Sequence, residues 1–256
     1  MSLPLVVGNW KMHGSQSDCL ERARQIAEDL NKKPADVEVA VAPPFTALAT
    51  VSQALRSSAI HLAAQNCHWQ EKGAFTGEIS PSMLRDLGCD FVVLGHSERR
   101  HIFNESDAQI AQKVSAALTH ELRIILCVGE TLRERRNQQT SRIISRQLRI
   151  ALKGLMRNAI DKIEIAYEPV WAIGTGHNAS PEQISQVHAR IRLFLTKSFG
   201  EEKGGEVRIL YGGSVNPDNA AELGRTGNVS GFLVGGASLK PETFLPIVRC
   251  LAQTDR

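Results

Sequence analysis

Three residues far apart in the sequence are of the types that move protons: Glu168 at the end of "IEIAYE", His96 in "LGHSE" and Lys11 in "NWKM". The five residues before Glu168 read as buried strand, and Pro169, Val170 and Trp171 after it offer no obvious partner for a carboxylate. A carboxylate held among apolar groups has a raised pKa and serves as a base near neutral pH. Such a base can take a proton next to a carbonyl, an imidazole can donate to the carbonyl oxygen, and an ammonium can stabilise the charge that develops. Taken singly, each residue also has a plainer reading. Lys11 fits a solvated surface charge and His96 a satisfied core histidine. Glu98 in "SERR" fits a helix-start carboxylate, and Cys127 in "IILCVGE" a small buried hydrophobe.

Two glycine pairs point to an anion. "YGGSV" (211–215) and "VGGAS" (234–238) each close an apolar run and offer backbone N–H groups that no side chain screens. Loops after the last two strands of a parallel barrel recurrently cradle phosphate, although a lone Gly-Gly pair is more often a tight turn. The segment after Glu168 fits a flap, with Pro169-Val170-Trp171 as a stiff hinge and "AIGTG" (172–176) as a tip whose amides reach a phosphate. Closing it would dry the base and protect an enediolate phosphate from water. The same residues also fit a surface glycine turn with Trp171 packed beneath it.

Eight short apolar runs can position these groups: "PLVVGNW" (4–10), "VEVAVAPP" (37–44), "IHLAAQN" (60–66), "DFVVLGH" (90–96), "LRIILCVGE" (122–130), "IEIAYEP" (163–169), "EVRILYGG" (206–213) and "SGFLVGG" (230–236). Most are apolar throughout, as expected of parallel strands covered on both faces. Amphipathic segments lie between them, among them 17–33, 105–120 and 180–199, with Ser17, Asn104 and Ser180 as expected caps and Pro181 at a first helical position. The pattern predicts an α/β chain forming a single-domain (β/α)8 TIM barrel over residues 1–256. A doubly wound open sheet is the competitor; no GxGxxG follows the first run, and polar residues gather after nearly every strand rather than at one switch point. In the barrel, one face collects Asn9 and Lys11, then Gln65 and Asn66, His96, Ser97 and Glu98, Cys127 and Glu130, Glu168, "YGGS", and Gly235 with Gly236.

Composition bounds the alternatives. The 256 residues are 42% hydrophobic and 22% charged, an ordinary globular balance. A net charge of +3 is too mild to argue for nucleic acid, and "RERRN" (133–137), beside Glu130 and Glu134, reads as a solvated helix face. Five scattered cysteines form no CxxC pair, disulfide framework or zinc spacing, which fits a reducing compartment. The amino-terminal "MSLPLVVGNWKMHG" fits neither a signal peptide nor a membrane span, so the expected address is the cytoplasm. No HxxxH, HExxH, Gly-x-Ser-x-Gly, Walker A or Rossmann pattern occurs; neither metal nor cofactor is expected.

"GNWKMHG", "AAQN", "GAFTGEIS", "VVLGHSERR", "YEPVWAIGTG", "YGGSV" and "GFLVGGASLKP", in this order, closely resemble the triosephosphate isomerase family across essentially the whole chain. The resemblance implies interconversion of dihydroxyacetone phosphate and D-glyceraldehyde 3-phosphate, in glycolysis and gluconeogenesis, without metal or cofactor. It implies Glu168 as the catalytic base, and His96 as an electrophile kept neutral by a helix start. Lys11 becomes the electrostatic anchor and Asn9 a polarising group. Ser97, Glu98 and Cys127 match positions that orient these, and the amides of Gly174, Ser214, Gly235 and Gly236 would bind phosphate. The family forms homodimers, sometimes tetramers, in which the loop matching 68–80 enters the partner's pocket. Thr76 is then expected to meet Asn9 and Glu98 of the second copy.

Three positions depart from the family pattern. His13 stands where Asn is common, and His177, followed by Asn178, where the flap's second hinge usually has Lys. Asn228 stands where an acidic residue often pairs with an Arg, here Arg192. Two rival functions remain at this point. A barrel aldolase would use Lys11 as a Schiff base in an apolar pocket, and a phosphate-binding module would do no chemistry.

Overall fold

Eight strands form, one in each of the apolar runs, in a computed structural model that describes residues 3–173 and 179–252. They are β1 (Leu5–Asn9), β2 (Glu38–Ala42), β3 (His61–Ala64), β4 (Phe91–Leu94), β5 (Arg123–Val128), β6 (Ile163–Tyr167), β7 (Ile209–Tyr211) and β8 (Gly231–Val234). Every strand pairs in parallel with its sequence neighbours, and β8 pairs with β1, closing the barrel. The open doubly wound sheet is thereby excluded.

The absence of alternation in the runs has its cause in two separate apolar environments. One set of side chains fills the barrel: Leu5 and Val7, Ala40 and Ala42, Ala63, Phe91 and Val93, Ile125 and Cys127, Ala166, Leu210 and Leu233. The alternate set, such as Val6, Val41, Leu94, Leu126, Ile165 and Phe232, faces the helices and merges with their buried faces. Period two persists, but both directions are buried. Continued past the strand ends, the inward parity reaches Asn9, Glu168, Gly212 and Gly235, all of which line the mouth of the barrel.

The helices begin where local chemistry satisfies their first amides, not always where the sequence suggests. Ser15, not Ser17, caps the helix Gln16–Lys32, with Asp18 completing a capping box. Ser106, not Asn104, caps Asp107–Thr119, and Gln109 reaches back to its amide. The reciprocal Ser/acid-or-amide pair three residues apart decides both cases, and such a cap is worth about 1 kcal/mol. Ser180 caps Pro181–Phe199 as expected. Residues 133–136 lie in the short helix Leu132–Arg136, yet its basic face is not simply solvated. Arg135 pairs with the buried Glu130 at 3.1 Å and lies 4.5 Å over the Trp171 ring.

The end of the barrel opposite the mouth is closed by charge. Arg208 contacts Glu38 at 2.6 Å and Glu164 at 2.7 Å, and Arg123 bridges the same two carboxylates. His61 joins from β3, 2.8 Å from Asp90 and 3.1 Å from Glu38. A crevice of about 880 Å³ opens here, larger than the cavity at the mouth. Its charges are largely committed to one another, and it contains none of the proton-moving groups. No helix among the described residues is long and apolar enough to cross a membrane.

Candidate active site

His96 and Ser97 begin the one-turn helix Ser97–His101, which starts directly after β4. The first amides of a helix have no partner within it, and here two are taken by the site. The Ser97 N–H donates to Glu168 Oε2 at 2.8 Å, and the Glu98 N–H donates to His96 Nδ1 at 3.2 Å. An Nδ1 that accepts a hydrogen bond carries no proton, so the ring proton sits on Nε2. Nε2 in turn lies 3.0 Å from Glu168 Oε1.

Glu168 is buried as the sequence suggests, but with these contacts it is not the unpartnered carboxylate read there. Burial pushes its pKa up, but the His96 ring, the Ser97 amide and Lys11 together outweigh that, and the net direction is downward. The raised pKa expected from apolar surroundings is thus corrected: the partners come from β4 and β1, which no local reading of "EPVW" reveals. For His96, burial favours the uncharged ring, while the carboxylates of Glu168 and Glu98 outweigh it and raise the pKa. Gly212, after β7, leaves room for the Glu168 side chain: a Cβ there would lie 2.9 Å from its Cγ.

Lys11 follows β1 in a left-handed conformation, φ 51°, uncommon for a residue with a side chain. Its N–H donates to Asn9 Oδ1 at 3.0 Å, and its carbonyl accepts from Gln65 Nε2 at 2.8 Å. Gln65 also donates to the Ala42 carbonyl, so it ties the ends of β1 and β2 together from β3. The ammonium is paired with Glu98 Oε1 at 2.6 Å. A partly exposed lysine paired with a carboxylate is not the apolar nucleophile that a Schiff base requires.

Asn9, Lys11, His96 and Glu168 line one cavity of about 340 Å³ together with Ser214, Gly235 and Gly236. Cys127 is buried in the barrel interior, and burial together with the Glu168 charge lifts its thiol far above the ordinary range. Gly174, His177 and Asn178 lie outside the described residues, as does most of the expected flap tip; of the expected hinge Pro169-Val170-Trp171, the last two residues lie in a single 3-10 turn, Val170–Ala172, with Pro169 before it. Thr76 is exposed and makes no contact with its own chain's cavity. Among the described residues no three His, Cys, Asp or Glu side chains converge as metal ligands.

Other candidates resolve into structural roles. Glu130 accepts from the Tyr167 hydroxyl, the Trp171 indole N–H and Arg135. Asn66 accepts from Lys113, which also pairs with Glu105. His13 is exposed. Arg192 donates to the Gly204 carbonyl at 2.6 Å, while Asn228 presents its carbonyl to His188. Sequence reasoning missed Arg100, whose guanidinium binds the carbonyls of Gly95 and Cys127 and the carboxylate of Asp107. It also missed Gln147. The signal for Gln147 was a polar residue on a helix face otherwise formed by Ile143, Ile144, Leu148 and Ala151.

A closed parallel barrel with a carboxylate, an imidazole and an ammonium around an open, glycine-rimmed mouth defines a (β/α)8 protein equipped for acid–base work on a small anion. Residues 4–251 match the family model described as triosephosphate isomerase. Proteins named triosephosphate isomerase from Carboxydothermus hydrogenoformans and Pelobacter propionicus are 48% and 47% identical to it over 97% of the chain, covering 99% and 98% of those relatives. The protein of that name from Alkaliphilus oremlandii is 46% identical over 97% of the chain and 99% of its own length. The chain belongs to the triosephosphate isomerase family.

Proposed function

We propose that this chain interconverts dihydroxyacetone phosphate and D-glyceraldehyde 3-phosphate through an enediolate, as its family and its relatives' names support. The observation that carries the chemistry is the 3.0 Å contact between Glu168 Oε1 and His96 Nε2 at the cavity that Lys11 also lines. A substrate carbonyl needs the same Nε2–H that Glu168 now holds. Its arrival displaces the carboxylate from the imidazole, and a buried carboxylate relieved of its partners becomes a stronger base. Glu168 then takes the proton from the carbon beside the carbonyl and returns it to the neighbouring carbon. His96 donates to the oxygens in turn, and Lys11 with Asn9 stabilises the developing charge. Phosphate falls to the amides of Ser214, Gly235 and Gly236, with Gly174 from the flap. Ser97 and Glu98 hold the base and the ammonium between turnovers, and Cys127 packs beneath them.

The working form is a homodimer joined through loop 68–80, with Thr76 of each copy meeting Asn9 and Glu98 of the other. In support, Met12, Ile102 and Phe103 are 93%, 68% and 66% exposed, with Phe75 on the loop also bare. Large exposed apolar side chains of this kind are what a protein interface covers. The residues 1–256 act as one domain, and the setting is cytoplasmic glycolysis and gluconeogenesis. The test is a coupled assay converting glyceraldehyde 3-phosphate, with no metal or nucleotide in the isomerising step. Turnover is expected. A folded dimer without turnover would leave a phosphate-binding module as the better reading.

A further inference from the structure

The pairing of β4 with β5 stops at Leu94 and Leu126, while the chain of β5 runs on through Val128 to Glu130. On its other side β5 still holds the β6 segment: the Glu168 N–H donates to Val128 O at 2.8 Å and the Val170 N–H to Glu130 O at 3.1 Å. Gly129 lies between these two contacts with its own peptide groups facing away from β6, where no strand remains to pair with them. One side chain takes both. The Gly129 N–H donates to Gln147 Oε1 at 2.9 Å, and Gln147 Nε2 donates to the Gly129 carbonyl at 3.1 Å. Gln147 is buried on the inner face of the helix Thr140–Ala151, and its amide offers the donor and acceptor that a missing strand would have supplied. Gly129 is also packed directly on the base's backbone: a Cβ at that position would lie 1.8 Å from the Glu168 carbonyl oxygen.

We infer that Gln147 is a positioning residue for proton transfer, fixing Gly129 and, through it, the reach of the Glu168 carboxylate. The inference rests on the reading of Glu168 as the base. A shift of Gly129 has no slack to absorb it, so it passes to Glu168, and misplacing a catalytic group by about 1 Å can cost on the order of 100-fold in rate.

Gln147→Met keeps the bulk and loses both hydrogen bonds. Its kcat is expected to fall by about 10- to 100-fold, with KM changed little. The acid limb of kcat/KM is expected to move to higher pH. Glu168 faces the His96 ring, the Ser97 amide, Lys11 and Cys127, and loosening its hold on the first three leaves burial to push its pKa up. A residue that only stabilised the fold would scale activity equally at all pH and leave that limb in place. Gln147→Glu, neutral when buried, can accept from the Gly129 N–H and donate to its carbonyl, and is expected to recover most of kcat. A folded Gln147→Met enzyme with unchanged kcat and an unmoved acid limb overturns the inference, as does a Gln147→Glu enzyme no better than Gln147→Met. If Gln147→Met does not fold, Gln147→Asn, one methylene too short to make both contacts, is measured in its place against the same outcomes. Absence of turnover in the unaltered enzyme overturns the functional reading instead.

Discussion

Glu168 and Ser97 are joined across 71 residues by a single bond, the Ser97 amide donating to the Glu168 carboxylate at 2.8 Å. That bond and the His96 contact hold the Glu168 carboxylate against the residues that follow β4. In the proposed cycle the carboxylate leaves these resting partners when substrate arrives. Its side-chain length is then critical. Glu168→Asp, one methylene shorter, and Glu168→Ala are expected to lower turnover by at least the ~10²–10⁴-fold supplied by a positioned base. Oligomeric state by sedimentation should not change. Wild-type rates in either variant would remove Glu168 from the mechanism.

The fold was legible because all eight runs are apolar on both faces, a condition that a closed parallel barrel meets along every strand. The identities of Asn9, Lys11, His96 and Glu168 as neighbours were legible for the same reason: strand ends of a barrel share one face. The electrostatics were not. Whether Glu168 is a naked or a partnered carboxylate depends on helix-start amides and an imidazole brought from another strand. A sequence shows no through-space contact of that kind. Caps failed by two residues at Ser17 and Asn104 because several polar residues precede each helix, and only the reciprocal bond from Asp18 or Gln109 selects one.

The charged floor of the barrel makes stability depend on pH through His61. Asp90 and Glu38 each accept from its ring and raise its pKa to about 9 from an ordinary 6.5. A group whose folded pKa is raised stabilises fully below its unfolded value and loses that contribution as pH rises through the folded one. The melting temperature is therefore expected to decline as pH climbs from about 6.5 through 9, and His61→Gln should flatten that decline. Thermal melts of both proteins across that window decide it; parallel curves would show that His61 carries no such linkage.

Three of the five thiols should be silent in the native state. Burial lifts Cys67 and Cys89 to about 12, and burial with the neighbouring Glu168 lifts Cys127 well above the ordinary thiol range. A thiol reacts as its thiolate. An aromatic disulfide reagent at pH 8 is expected to label these three only as fast as the protein unfolds. Rapid labelling of any of them in folded enzyme would contradict the burial described here.

Ile102 separates an interface from an ordinary surface. Its side chain is 68% exposed, beside the equally bare Phe103 and close in sequence to the helix that carries His96 and Ser97. On a free surface Ile102→Glu would change stability by no more than about 0.5 kcal/mol and leave activity alone. In a dimer contact the same change sets an unpaired carboxylate into an apolar seam, which costs several kcal/mol when it stays buried and so drives the copies apart. Sedimentation should then show monomer, and kcat should fall because Asn9 and Glu98 lose the contact proposed for the second copy's Thr76. Raising the protein concentration should restore activity along with the dimer, a recovery that damage to the barrel itself would not show. A fully active monomer would mean that each mouth is complete without its neighbour.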